Sequence, residues 1–413
     1  MQIKVDKQAL SPLLDQAAAV APAKAQTQFL RVIWLSAQDG HLRVEANDRM
    51  QEYTGTCPCG VQQSGVAGVD RRLADLARKL PAGDIELKLG DQALAVQSGK
   101  RRYQMPVYDS SWYAACSGPD SEFSSIYSQL LQEVFVRPAF SASPDPTDEA
   151  LHSVHLDMAG GESQDMLRSW AVDGHMAAYQ LADMAQASEV REQLEPLIQG
   201  APLALAKTHV QALGKAVRDY SWCELALDNK RIYVSCGPHT FSYPLQTYPA
   251  PDFNRILEAA KREEDIIAAR QPLLQALDRM SVFAADKRTQ TVSLHFNQHF
   301  NPQGGAEALE LELRLNSQES AQAREYVPLF KTVRKSFAKA LDGLTLPVAG
   351  WQQVLRQMDA DADQVEISFS DLQCPVCHWV MGGSGIGFSV FTTILMPVIT
   401  EQETYYTDEE QVA

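Results

Sequence analysis

Three successive stretches of this chain carry the same order of elements, and that recurrence constrains the fold more than any local string does. In the first, strand-like Met1–Val5 precedes a helix at Lys7–Ala19 and alternating segments at Leu30–Ser36, His41–Asn47 and Gln51–Cys57. A second helix at Arg71–Leu80 opens behind Asp70 as N-cap and stops before Pro81-Ala82-Gly83. Strands at Asp84–Leu89, Ala93–Ser98 and Arg101–Pro106 follow. The second stretch starts near Glu122 with a helix at Ile126–Val136 and strands at Ser153–Met158, Ser169–Val172 and Ala177–Leu181. Its helix Lys207–Asp219 leads to Cys223–Leu227, Arg231–Cys236 and Thr240–Leu245. The third has a helix at Ile266–Ala284, strands at Thr291–Phe296 and Ala308–Leu315, a helix at Gly350–Met358, and strands at Gln364–Ser370 and Val390–Val398. A period of about 120 residues marks a repeated domain, not a solenoid of short repeats. The turn-rich joints Ser117-Gly118-Pro119 and Pro249-Ala250-Pro251 suggest domains at 1–119, 120–252 and 253–400, with a tail at 401–413.

Composition narrows the class. At 413 residues the chain suits several cores, and 45% hydrophobic with 21% charged residues describes an ordinary soluble globular protein. The start, Met1-Gln2-Ile3-Lys4-Val5, lacks the apolar run of a signal peptide, and the longest apolar stretch, Gly385–Ile399, is broken by Ser389, Thr392 and Thr393. The expectation is a cytoplasmic protein without a membrane partner. Seven cysteines do not make a disulfide framework in so long a chain. Cys374-Pro375-Val376-Cys377 and Cys57-Pro58-Cys59 would have to meet in space to give zinc its four ligands, and reduced cysteines near strand ends are the favoured reading. No metal or cofactor is expected.

The net charge is −16, which by itself argues against a DNA-wrapping protein. The cations gather on helices, however: Lys24, Arg71, Arg72, Arg78 and Lys79 in the first stretch; Arg137, Lys207, Lys215 and Arg218 in the second; Arg270, Arg279 and Arg356 in the third. Charge alone favours solvated helix faces; charge together with the threefold repeat favours a basic lining that holds a phosphate backbone without reading bases.

Several strings resemble the bacterial DNA sliding clamp, the DNA polymerase III beta subunit. They are Val69-Asp70-Arg71-Arg72, Gln97-Ser98-Gly99-Lys100-Arg101-Arg102-Tyr103, Trp170-Ala171-Val172-Asp173-Gly174-His175, Pro251-Asp252-Phe253-Asn254-Arg255-Ile256 and Leu395-Met396-Pro397-Val398. The resemblance covers nearly the whole chain with sparse identities. It implies an α+β chain of three clamp-like domains, paired head-to-tail as a homodimeric ring with helices inside and antiparallel sheets outside. It implies no catalysis; such a ring encircles double-stranded DNA and tethers a DNA polymerase and a clamp loader through their short linear peptides. The implied peptide groove has apolar walls of Leu151, Val172, Met176, Ala177, Pro251, Ile256, Ile394, Met396 and Val398, edged by Gly174, His175, Arg255 and Pro397. Tyr103 and Met105 would meet Val282 and Phe283 of a second copy.

The chain departs from the family's pattern in places. Met176 stands where the family has arginine, and Ala177 where it has leucine. The loop Asp145-Pro146-Thr147-Asp148-Glu149-Ala150 is acidic where the family offers aromatic residues to single-stranded DNA. An insertion near 319–345 reads as an amphipathic helix at Tyr326–Leu344, and Thr400–Ala413 extends past the expected end. Two competing readings are a monomeric clamp-fold adaptor and, more weakly, a metal-dependent hydrolase using His152, His155, His175, Asp157 and Asp173.

Overall fold

Asp6 ends β1 (Gln2–Asp6), and its carboxylate accepts the Gln8 N–H at 3.1 Å, which starts α1 (Lys7–Val20) in the computed structural model. The residues described are 1–22, 27–159, 166–183, 187–198, 201–228, 230–246, 249–259, 264–283, 290–299, 308–316, 322–330, 342–358, 362–369, 377–383 and 389–395. Leu10, Leu13, Leu14, Ala17 and Ala18 of α1 recur at helical spacing, are buried, and face the sheet. The first round continues with β2 (Val32–Gln38), β3 (His41–Asn47), β4 (Glu52–Pro58), β5 (Gly60–Gln63), β6 (Gly65–Asp70), α2 (Arg72–Lys79), β7 (Asp84–Leu89), β8 (Ala93–Ser98) and β9 (Arg101–Tyr108). The N-cap of α2 is Arg71, not the expected Asp70; Asp70, one residue earlier, accepts the Arg72 N–H at 2.9 Å.

The second round runs β10 (Ser124–Tyr127), α3 (Ser128–Leu131), β11 (Ser153–Met158), β12 (Leu167–Val172), β13 (Met176–Ala182), α4 (Ser188–Ile198), β14 (Leu203–Ala206), α5 (Lys207–Val217), β15 (Trp222–Leu227), β16 (Arg231–Cys236) and β17 (His239–Pro244). After α6 (Phe253–Ala259) the third holds β18 (Glu264–Ala269), α7 (Arg270–Met280), β19 (Thr291–His299), β20 (Ala308–Asn316), β21 (Gln322–Pro328), β22 (Thr345–Pro347), the helix Val348–Gln357, β23 (Gln364–Phe369), β24 (Cys377–Gly383) and β25 (Ser389–Leu395). In every round the opening strand pairs antiparallel with the strand after that round's last helix: β1 with β7, β10 with β15, β18 with β23.

The chain divides into two compact units, 1–132 with 184–247 and 133–183 with 248–413. The first unit carries a 13-stranded sheet ordered β10-β15-β16-β17-β4-β3-β2-β6-β9-β8-β7-β1-β5. In it β4, third strand of the three that follow α1, pairs with β17, the last strand of the next round, matching Tyr53 to Phe241. The second unit holds the strand run β11-β12-β13-β25-β24-β23-β18 and a sheet ordered β21-β20-β19-β22. There β13 pairs in the same way with β25. One rule therefore operates twice: a round's third strand is completed by the final strand of the following round.

Three sequence expectations are corrected. Ile266–Ala284 is not one helix: Glu264–Ala269 is strand, because its apolar run pairs with β23, and the helix begins at Arg270. Ile126–Val136 opens as strand, followed by a short helix and a π-turn at Gln132–Val136. The helix expected from Tyr326 is strand through Pro328, paired with β20. The rest of that segment, 331–341, lies outside the described residues, as does the tail.

Candidate functional site

Within the second unit, the turn between β12 and β13 is built by Asp173. Its Oδ1 accepts N–H bonds from His175 at 2.9 Å and Met176 at 2.7 Å, and its own N–H donates to the Met176 carbonyl at 3.0 Å. Gly174 takes φ +89° at the first central position, where a side chain would strain a two-residue hairpin turn. The turn leaves His175 exposed and fixes the register so that Val172 faces Ala177, which faces Ile394 on β25. Val172, Ala177 and Ile394 thus form a row across three strands, joined by Trp170 and Phe253 in one apolar cluster, with Leu151, Ile256 and Leu257 half-buried against it.

The floor of this cluster is a stack. Trp170 lies between His155 (centroids 4.3 Å apart) and Phe253 (4.6 Å), and Tyr179 meets the Phe253 ring edge-on at 5.8 Å. Arg168 locks the stack from one side. It donates two bonds of 2.7 Å to the Asp157 carboxylate and one of 3.0 Å to Asn254 Oδ1, while Trp170 Nε1 donates to Asp157 at 3.3 Å. Because Asn254 and Phe253 open α6, this network seats the helix that carries Arg255 and Ile256. Asp252 starts that helix by accepting the Arg255 N–H at 3.2 Å. On the opposite rim, Leu151 is held by its carbonyl to the Ser143 N–H at 2.8 Å. Burial lowers the pKa of His155, outweighing its bond to the Ala150 carbonyl and the nearby Asp157 charge, so the ring stays neutral in the stack.

Of the expected groove residues, Leu151, Val172, Ala177, Ile256 and Ile394 are accordingly brought together, and one is corrected. Met176 is buried on the other face of β13, in the core cluster with Leu273 and Trp351, because strand alternation sends it away from Ala177. Met396, Pro397 and Val398 lie outside the described residues. Sequence reading misses Trp170 and Phe253 as the floor, although both sit inside strings it singles out.

The cations divide. Lys24 lies outside the described residues. Lys79, Lys215 and Arg218 are exposed on or just past α2 and α5, and Lys207 is half-buried. Arg71 donates to the Ala21 carbonyl, Arg72 pairs with Asp70, and Arg78 is shared by Asp15 and Asp75. Arg137 donates to the Gln357 carbonyl at 3.4 Å. Arg270 is corrected: it is buried and donates to the carbonyls of Leu355 and Met358, so it fastens a helix end and does not present charge. Arg279 is held by Glu325 and Arg356 by Asp278, each at 2.7 Å.

Of the residues expected at a subunit contact, Val282 is 77% exposed, Phe283 51% and Tyr103 39%, whereas Met105 is 8% exposed and mostly covered within its own unit. Tyr326 on β21 and nearby Phe330 are also exposed. Among the described residues no three His, Cys, Asp or Glu side chains are grouped to hold a metal, and no helix is long and apolar enough to cross a membrane. His152 and His155 are bonded to backbone carbonyls of Ser143 and Ala150, not aimed at a shared ligand.

Comparison with known proteins matches this architecture. The chain superposes on the DNA polymerase sliding clamp from Caulobacter crescentus with a TM-score of 0.80, covering 97% of this chain and 100% of that one at 18% identity. The fold is that of a bacterial beta sliding clamp. The Pseudomonas aeruginosa DNA polymerase sliding clamp is similar over the same shares, with a TM-score of 0.77 and 21% identity. Residues 1–116 match the family described as DNA polymerase III beta subunit, N-terminal domain. The Beta sliding clamp of Streptomyces coelicolor is 22% identical over 161 residues, which span 39% of this chain and 43% of that relative's length.

Proposed function

We propose that this chain is a sliding clamp: a non-catalytic ring of two copies that encircles duplex DNA and tethers a DNA polymerase through the groove. The observation that carries this reading is the strand rule of the fold. Two of the three possible junctions between rounds are made within the chain, by β4 with β17 and β13 with β25. The strands left over are β21, at the edge of its sheet, and β9, which pairs with β6 at Val107 and Tyr108 and not along Arg101–Met105. Those edges carry the exposed aromatics Tyr326 and Tyr103, and the same rule applied between two copies pairs them head-to-tail and closes a ring. Three domains, 1–119, 120–252 and 253–400, are the units of this reading, with helices inside, sheets outside, and Lys79, Lys207, Lys215 and Arg218 toward phosphate.

The row Val172–Ala177–Ile394, walled by Ile256 and Leu151, suits the apolar anchors of a short linear peptide, with His175 and Arg255 for its polar groups. Tethering raises a polymerase's effective concentration at the primer end without new chemistry. Loading onto closed DNA calls for a separate loader that uses the same groove, and the reaction compartment is the cytoplasm. The experiment is molar mass by light scattering during gel filtration, followed by retention on circular against linear DNA after incubation with a bacterial clamp loader and ATP. A mass of twice 45.7 kDa with selective retention on circles is expected; a monomer that still binds clamp-binding peptide would replace the ring with a monomeric adaptor. The neutralised Arg279 and Arg356 are the feature that favours that second reading.

A further inference from the structure

In the first unit, β15 and β16 are antiparallel neighbours with Glu224 opposite Ser235 and Leu225 opposite Val234, a register that sets Cys223 directly across from Cys236. Directly opposed residues of an antiparallel pair have Cα atoms about 4.5 or 5.5 Å apart, and both spacings lie within the range a disulfide spans. The two thiols are in contact, Sγ to Sγ 2.6 Å, and are unbridged. Ser128 Oγ stands 3.0 Å from the Cys223 sulfur. Both cysteine side chains are buried on the inner face of the two strands, and the open cavity of about 530 Å³ that touches Cys223 beside Ser125, Trp222, Glu224, Ser235 and Gly237 lies on the outer face.

From this placement we infer that Cys223 and Cys236 form a thiol–disulfide modification site, in which hydrogen peroxide oxidises Cys223 and Cys236 resolves it. The Cys223 thiolate attacks one peroxide oxygen, the O–O bond breaks, and hydroxide leaves, giving a sulfenic acid. The Cys236 sulfur then attacks the Cys223 sulfur, the S–O bond breaks, and hydroxide departs to take up the Cys236 proton as water. Two thiols give up two electrons, and one peroxide becomes two waters. A hydrogen bond from Cys236 to the Cys223 sulfur, with a further one from Ser128, favours the Cys223 thiolate against its burial. The bridge would staple β15 to β16 without moving either backbone.

The test uses the full chain, reduced and then exposed to hydrogen peroxide, followed by alkylation under denaturing conditions and peptide mapping. The expected product is about 2 Da lighter before alkylation, has Cys223 and Cys236 linked, and returns to seven alkylatable thiols with dithiothreitol. Cys236→Ser should abolish the link and leave Cys223 sulfenic or over-oxidised; circular dichroism reports whether that variant folds, and the wild-type map does not depend on it. Alkylation of both residues at a peroxide dose that oxidises Cys59 would overturn the inference. So would sulfinic acid at Cys223 with Cys236 still a thiol in the wild-type chain.

Discussion

Trp170 lies flat against Phe253, planes 14° apart, although one belongs to a sheet strand and the other opens a helix. The contact couples the sheet row Val172–Ala177–Ile394 to the helix wall carrying Ile256, so groove shape and local stability share one support.

Phe253→Ala should therefore cost about 3–5 kcal/mol of stability, the usual penalty for emptying a buried phenylalanine site, and should lower peptide affinity at least as strongly as a direct wall change. Phe253→Leu should recover much of the stability while leaving the Trp170 face uncovered. Urea denaturation and a peptide titration on both variants separate the two effects; equal affinity in Phe253→Ala and wild type would show that the helix is not a wall.

Arg168→Met should destabilise by about 3–5 kcal/mol, because Asp157 would keep its charge beside Trp170 with its two strongest bonds removed. The double variant Arg168→Met, Asp157→Leu should regain a large part of that loss. A double variant no more stable than the single one would contradict the argument.

The stack also predicts an acid limit. His155 is neutral in the fold because burial depresses its pKa below the ordinary 6.5. Its contribution is complete above 6.5 and is lost as pH falls through the depressed folded value, since the unfolded chain takes up the proton first. Stability should decline as pH drops below about 6.5, and His155→Phe should flatten that slope. Urea midpoints across this window, compared for the two chains, supply the check; His239, likewise lowered by burial, leaves a residual slope in both.

At the proposed subunit contact, Tyr326→Glu or Tyr103→Glu should shift the mass from a dimer toward 45.7 kDa, each alone, with little change in thermal midpoint because both side chains are exposed. Sedimentation velocity reads this directly, and a dimer that survives both changes would move the interface elsewhere.

Reversing Lys215 and Arg218 to Glu should weaken DNA retention and reduce the salt dependence of binding, by a slope of about 0.9 for each phosphate no longer neutralised. Arg270→Gln should instead act on folding, since its bonds end on buried carbonyls. Unchanged stability in Arg270→Gln would require its role to be redrawn.

Much of this is legible in the chain because strand alternation and glycine-bearing turns are local. Asp173-Gly174-His175 announces its own hairpin, and the wall residue Ile256 comes from a string with proline, aromatic and arginine in order. Long-range pairing is not legible. Ile266-Ile267-Ala268-Ala269 suits a helix or a buried strand equally well, and it is β23, far along the chain, that makes it strand. Met176 misleads for a similar reason: neighbours in sequence stand on opposite faces of a strand, and its side chain joins the core. The cation pattern misleads where a partner is remote, as with Arg279 and Glu325.

The pairing of β4 with β17 has a consequence for synthesis. A ribosome releases Tyr53 long before it makes Phe241, so the hydrogen-bonding edge of β4 stays bare until more than half of the chain has been translated. The same delay recurs for β13, whose neighbour β25 is delivered near the end. Chains halted early would expose sticky edges of just the kind that recruit other unfinished copies, and a gene cut after its first round would encode an aggregate and not a small domain.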